Sequence, residues 1–324
     1  VLEKINHQLE RFMPLITPVS VLLGMLLTHE LKNFLFLVPW IFAFMTFSGS
    51  LGSNFTHLRN TLSRPVPIFI GLAILHVFMP LWAWAVGHIA FPTDPYTITG
   101  LVLAMVIPCG ITSSMWVSIY KGNSTLALSI ILIDTLLSPL VVPYSLSLFV
   151  GESVAIKVWP MVKDLLIMIV IPSIVGMILN HKTKGNIKLT LGKRIAPISK
   201  ICMAVVVAIN ASVAAPYLKH ADKKLVWIGI IVFFIAASGY LVSFLVSILL
   251  KYDKETMVSM VFCGGMRNIS AGSVIALTYF SPLTAVPVVI GMLFQQILAS
   301  VYGFVLSKHF GRQIQHHNNE STSA

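Results

Sequence analysis

Apolar stretches of roughly twenty residues, the length that spans the hydrocarbon core of a bilayer, follow one another along almost the whole 324-residue chain. Only short polar breaks separate them. In lipid every backbone N–H and C=O must find its partner inside the protein, which leaves helices or a closed barrel. Barrel strands alternate polar and apolar residues, and runs such as Val226 to Ile235 do not. The chain therefore reads as an all-α polytopic membrane protein. Spans are predicted near 14–28, 34–51, 66–90, 97–120, 125–149, 160–180, 196–217, 225–250, 255–280 and 283–307. Charged residues make up 10% of the chain, against about a quarter in soluble domains, so polar surface to cover it in water is lacking.

The formal charge of +11 would suit nucleic acid, but the distribution of the charges excludes that partner. Lys182, Lys184, Lys188, Lys193 and Arg194 cluster in one connection, as cytoplasmic loops facing anionic lipid do. With the N-terminus inside, 15 cations fall on the inner side and 6 outside (Lys32, Lys157, Lys163, Lys219, Lys223, Lys224). Arg267 stays within the membrane, completing the 22 lysines and arginines. Both termini are predicted to be cytoplasmic, in a cell (inner) membrane whose lipid bilayer is the main partner. Residues 311–324 read as a polar, disordered cytoplasmic tail. No cofactor is implied. Cys109, Cys202 and Cys263 lie in apolar segments without metal-ligand spacing.

Two segments depart from plain spans. The fourth carries Ile107-Pro108-Cys109-Gly110-Ile111-Thr112-Ser113-Ser114, and the ninth carries Cys263-Gly264-Gly265-Met266-Arg267-Asn268-Ile269-Ser270. Helix breakers and clustered polar groups stand there in place of Leu and Val. Each is the fourth member of its group of five, giving halves at 1–150 and 151–310. Paired interruptions in corresponding halves point to a transporter site built on inverted repeats. The bland alternative is that glycine and serine merely let helices pack closely.

At these motifs the chain resembles the bile acid:sodium symporter family. The stretch Pro108 to Ser114, the Lys121-Gly122-Asn123 turn, Thr135-Leu136-Leu137-Ser138-Pro139 and Cys263 to Asn268 carry the likeness. The resemblance implies ten helices in a five-plus-five inverted repeat, with the fourth and ninth crossing at unwound centres. It also implies a panel and a core that move relative to each other, and organic-anion substrates such as bile acids, pantoate and pyruvate. Gln295 and Gln296 align with a His-Asn pair facing the family's substrate cavity. The departures concern sodium. A Ser-Asn pair is Ser113-Ser114 here, two hydroxyl ligands align with Ala127 and Ile131, an acidic ligand with Cys263, and a Gln with Arg267.

Arg267 is the sharpest single residue, because an arginine at mid-bilayer costs somewhere between about 2.5 and 17 kcal/mol. It is read as standing in for a cation or attracting a substrate carboxylate; a structural bond to broken-helix carbonyls is the alternative. Asp134 shares a helix face with positions 127 and 131. It is either the counter-charge of Arg267 or the carrier of a coupling proton, with a purely structural buried carboxylate as the third reading. Thr112, Ser113, Ser114, Asn268, Ser270, Gln295 and Gln296 complete the predicted polar lining. His76, alone on an apolar helix, reads first as structural.

The function expected is secondary transport of small organic anions, with sodium sites lost and Cys263 and Arg267 in their place. The coupling ion, proton or sodium, stays open. A sodium-coupled symporter retaining unrecognised ligands is one alternative. Metalloid carriage through Cys109 and Cys263, as in arsenite extruders, is another. A membrane-embedded sensor or enzyme is the alternative of a different class. Metalloprotease chemistry would require His-Glu-x-x-His, which the sequence lacks, and Gly185 to Arg194 has the wrong spacing for a phosphate loop.

Overall fold

The computed structural model describes the backbone of residues 2–53, 65–151, 157–218 and 222–322, with side chains throughout except at 2–11, 13, 14, 218 and 311–322. The helices are α1 (Leu2–Leu26), α2 (Thr28–Ser50), α3 (Pro65–Ala90), α4 (Pro95–Val106), α5 (Thr112–Ile119) and α6 (Ser124–Val150). They continue as α7 (Val158–Lys182), α8 (Lys188–Tyr217), α9 (Lys223–Leu249), α10 (Lys254–Gly265), α11 (Ile269–Tyr279) and α12 (Pro282–Phe310). Among the described residues there is no strand. Seven helices (α2, α3, α6, α7, α8, α9 and α12) are long and apolar enough to cross a membrane. Trp40, Phe69, Leu148, Trp159 and Phe304 project outward, more than half exposed, as side chains facing lipid would.

The backbone of the last helix continues to Thr322; the tail predicted over 311–324 falls on positions whose side chains lie outside the described residues. The same holds for Lys4, Arg11, Arg59, Arg64, Lys219 and Arg312 among the cations used to orient the chain. The basic connection is more helical than predicted, since α8 starts at Lys188 and not near residue 196.

Helix starts follow the capping rule that a short polar side chain accepts a bond from a free first-turn N–H. Asp94, Asn123, Asp222, Asp253 and Asn268 each do so. Within α3 the chain loosens to a π turn at Ile74–Phe78. Pro80 lacks the N–H that would bond back to His76, which favours a local widening there.

Two groups of helices emerge from the packing. In the first, α1 lies along α8, and α2 packs on both α7 and α8. In the second, α3 to α6 and α9 to α12 gather around the two chain breaks, with α9 against α10 and α4 against α3 and α12.

The α3–α4 connection holds a tie that can be tested alone. Asp94 accepts from Thr97 N at 3.1 Å and pairs with Lys224 Nζ at 2.7 Å, joining α4 to the start of α9. Partial burial pushes its carboxyl upward, but the bonds from Lys224 and Thr97 outweigh this and leave it below the usual carboxylate range. A depressed carboxyl adds stability above its unfolded value, about pH 4, and loses it as pH falls through the folded one. Asp94→Ala is expected to cost about 1 kcal/mol in detergent-solubilised protein near pH 7. The gap to wild type should narrow below about pH 4; a gap that widens with acid would contradict the tie.

Candidate functional site

Helix α4 stops at Val106 because Pro108 follows two residues later. The residue before a proline is pushed out of the α region, and Ile107 accordingly adopts φ −59°, ψ 147°. Met266, after α10, is extended as well (φ −97°, ψ 129°). The two extended stretches run antiparallel, with Cys109 opposite Arg267. Gly110 N donates to Met266 O at 3.2 Å and Asn268 N donates to Pro108 O at 2.8 Å. The breaks thus satisfy each other's backbone groups, as buried backbone must. Only glycine fits at position 110, since a Cβ there would lie 2.9 Å from Arg267 O. A second tie joins the far ends of the broken helices, where Asn123 N donates to Glu255 O and Ser259 Oγ donates to Asn123 O, both at 2.9 Å.

A cavity of ≈ 370 Å³ lies against this crossing, between the two helix groups. Its walls include Thr112, Ser114, Arg267, Asn268, Ser270, Gln295 and Gln296. Seven of the eight residues predicted to bind substrate therefore converge on one space. Ser113 is the exception. Its side chain is fully buried, with Oγ 3.3 Å from Cys109 Sγ and 3.8 Å from Cys263 Sγ. One residue's step along a helix turns a side chain by about 100°, enough to send Ser113 inward while Thr112 and Ser114 face the cavity.

Arg267 is 2% exposed, and among the described residues none of its three guanidinium nitrogens has a hydrogen-bond partner. Its backbone N–H donates to Gln295 Oε1 at 3.0 Å. Gln296 Oε1 accepts from Trp116 Nε1 at 3.0 Å, so one oxygen of the glutamine pair holds the crossing and the other holds α5.

Asp134 does not pair with Arg267. Its Oδ1 lies 2.5 Å from His76 Nε2, and its Oδ2 accepts the Cys109 backbone N–H at 2.6 Å. The carboxylate acts on the guanidinium only at longer range. The reason is positional: one turn beyond Ala127 and Ile131, α6 turns this side chain to α3 and the back of the first break. His76, read from sequence as structural, is thus the direct partner of the one deeply buried acid among the described residues. Pro80, four residues further along the helix, was the available signal.

The opposite wall was not foreseen. Thr17 of α1, Thr46 and Ser48 of α2, and Ser199 and Lys200 of α8 also line the cavity. The cation count puts Lys200 on the inner side; its place as the sole charge in the span predicted over 196–217 was the available clue. A second cavity of ≈ 270 Å³ shares Gly49, Ile111 and Ser114 with the first and extends to Lys188.

The Sodium Bile acid symporter family model matches residues 39–221, more than half of the chain. The chain belongs to this family. As a member of the Sodium Bile acid symporter family it is a membrane transporter and not an enzyme, which removes the sensor and enzyme alternatives. It is 53% identical to a Bacillus subtilis (strain 168) protein carried as "Uncharacterized protein YbaS", over 91% of this chain and 97% of that one. It is 26% identical to the "Uncharacterized sodium-dependent transporter YocS" of the same organism, over 84% of this chain and 85% of that one. To the "Probable sodium/metabolite cotransporter BASS1, chloroplastic" of Arabidopsis thaliana it is 25% identical, over 92% of this chain and 75% of that one.

Proposed function

We propose that this family member is a secondary transporter of small organic anions, carboxylates foremost, in which Arg267 stands where relatives hold a cation. One observation carries the reading: a buried guanidinium without a hydrogen-bond partner among the described residues, in the wall of a cavity at the helix crossing. Such a group demands an acceptor, because a charge taken out of water without one is costly. A carboxylate offers two oxygens in the geometry of the guanidinium fork. Thr112, Ser114, Ser270 and Asn268 add neutral polar groups suited to the remaining oxygens of a small solute. The volume is at the lower end of ligand pockets, about 300–1,000 Å³, and favours a compact anion.

In this reading the broken pairs α4/α5 and α10/α11 each count as one span, giving ten helices in a five-plus-five inverted repeat over 1–150 and 151–310. The group α1, α2, α7 and α8 is the panel and the rest the core, and alternating access is their relative movement across the cavity. The cavity reaches α8 at Ala196, and the adjoining one reaches Lys188 in the basic connection, which the cation bias puts on the cytoplasmic side of an inner membrane, with both termini cytoplasmic.

The chemistry of the donor set supports loss of the sodium sites. Around Ser113 the near groups are the sulfurs of Cys109 and Cys263, and Cys263 Sγ lies 3.9 Å from Ala127 O. Small hard cations take oxygen ligands, whereas thiols suit soft metals. The names of YocS and BASS1 favour the second reading, sodium coupling through oxygens of another kind.

Uptake of labelled pantoate, pyruvate and a bile acid into proteoliposomes separates the two. At least one is expected to enter at the same initial rate, within about twofold, whether the outer cation is sodium or choline. Uptake that requires sodium would overturn the cation-replacement reading.

A further inference from the structure

The His76–Asp134 pair lies behind the crossing, outside the cavity wall, and anion binding by Arg267 makes no use of it. Its wiring is specific. An ionised carboxylate can only accept, and with Asp134 in that form His76 Nε2 carries the shared hydrogen. His76 Nδ1 is then the bare nitrogen, buried and without a hydrogen-bond partner among the described residues. The other carboxylate oxygen holds the Cys109 N–H, and the Cys109 residue faces Arg267 across the crossing. One bond therefore joins the pair to the first break, which lies against the break that carries the guanidinium. The titratable groups that act on Asp134 from packed elements are Cys109 and Arg267, with Cys263 next to Cys109 and Tyr240 near both of them. Of these only Arg267 is charged in its protonated form.

We infer that His76 and Asp134 form the proton site that couples transport, so that one proton moves with each monovalent anion; this rests on the anion-carrier reading above. Lys200 of the opposite wall is only part-buried; among the deeply buried groups at the crossing, ionised Asp134, charged Arg267 and neutral His76 sum to zero with an empty cavity. A carboxylate anion alone leaves the buried site at −1. A proton alone, taken at His76 Nδ1 to give an imidazolium on the Asp134 carboxylate, leaves it at +1. Together they restore zero. Uncompensated charge is what a low-dielectric interior opposes most, so each ligand strengthens the other by the same factor. The loaded carrier crosses without net buried charge. On the far side the anion leaves for water and the proton follows it from Nδ1, with no bond made or broken apart from that N–H.

The test uses reconstituted full-length protein and the same three labelled carboxylates, with protein-free liposomes subtracted. Counterflow, exchange of labelled for unlabelled anion at equal pH, is expected for at least one of them. An acid-outside gradient of two pH units should raise its accumulation by up to about 100-fold, tenfold for each pH unit at one proton per anion, with a lumenal dye recording that stoichiometry. His76→Gln should keep counterflow above the protein-free level and lose the response to the gradient. Counterflow in the wild type without gradient response, or a response that survives in His76→Gln, would overturn the coupling while leaving the anion reading intact. No counterflow of any carboxylate would overturn both. Should His76→Gln fail to fold, 15N resonances of His76 in wild-type nanodiscs decide. Its protonation midpoint must move when the transported carboxylate is added, and a midpoint indifferent to it rejects the site.

Discussion

Arg267→Gln is expected to lower carboxylate uptake by at least about 100-fold while thermal stability stays level or rises. The two halves have one cause. A charge-assisted hydrogen bond is worth about 1.5–3 kcal/mol net, and a full charge about 4 Å away adds roughly 4 kcal/mol at an effective dielectric near 20. A factor of 100 is only about 2.7 kcal/mol, so loss of the guanidinium suffices even after partial compensation by the glutamine amide. The empty carrier, by contrast, gains no hydrogen bond from the side chain, whose nitrogens lack partners among the described residues, and only the longer-range attraction of Asp134. Its backbone bond to Gln295 does not depend on the side chain and survives the exchange. Removing a buried charge without a partner relieves desolvation. Arg267→Lys should fall between the two, keeping the charge but not the planar fork. Initial uptake rates and unfolding followed by tryptophan fluorescence check both halves together. A Gln variant that transports normally sinks the anion site, and one that unfolds early shows that the arginine holds the crossing together.

How much of this was legible in sequence depended on whether the signal was local. Seven of the predicted spans were legible because lipid forces length and apolarity on a spanning helix. Both breaks were legible because Pro108 and the polar run after Gly265 are local features. The convergence of Thr112, Ser114, Arg267, Asn268, Ser270, Gln295 and Gln296 on one cavity was anticipated from the paired motifs. Ser113 was misplaced because the direction of a side chain just after a break depends on where the new helix starts. Partners across the fold were hidden. Nothing in the apolar α3 ties His76 to a residue 58 positions away, and the charge of Asp134 pointed to Arg267 as the nearest formal opposite. Lys200 was hidden for the converse reason, since near a helix end a lysine in the wall of a cavity looks like one in a loop.

Gly265→Ala should destabilise the protein by about 2 kcal/mol, the opposite of what its place in a helix suggests. Glycine to alanine within a helix gains up to about 1 kcal/mol from propensity, and α10 is helical through Gly265. The glycine pair was read from sequence as a breaker, yet the break comes only after it. What it provides is room. A Cβ at position 265 would lie 2.3–2.5 Å from three atoms of the Tyr240 ring. That ring is fully buried, stacked on Tyr302 at 4.8 Å between centroids, and tied through its hydroxyl to Gln295 O at 3.2 Å. It has nowhere to go, so α9 and α10 must part, at the about 1–3 kcal/mol typical of overpacked interiors. The strain falls two residues before Arg267, and uptake should fall with stability. A double-mutant cycle with Tyr240→Leu decides the cause. If the ring is the obstacle, alanine at 265 becomes neutral or stabilising once the ring is gone, with an interaction energy of about 1–3 kcal/mol. Two losses that simply add would place the fault elsewhere and remove the close approach of α9 and α10 from the account of how the crossing is held.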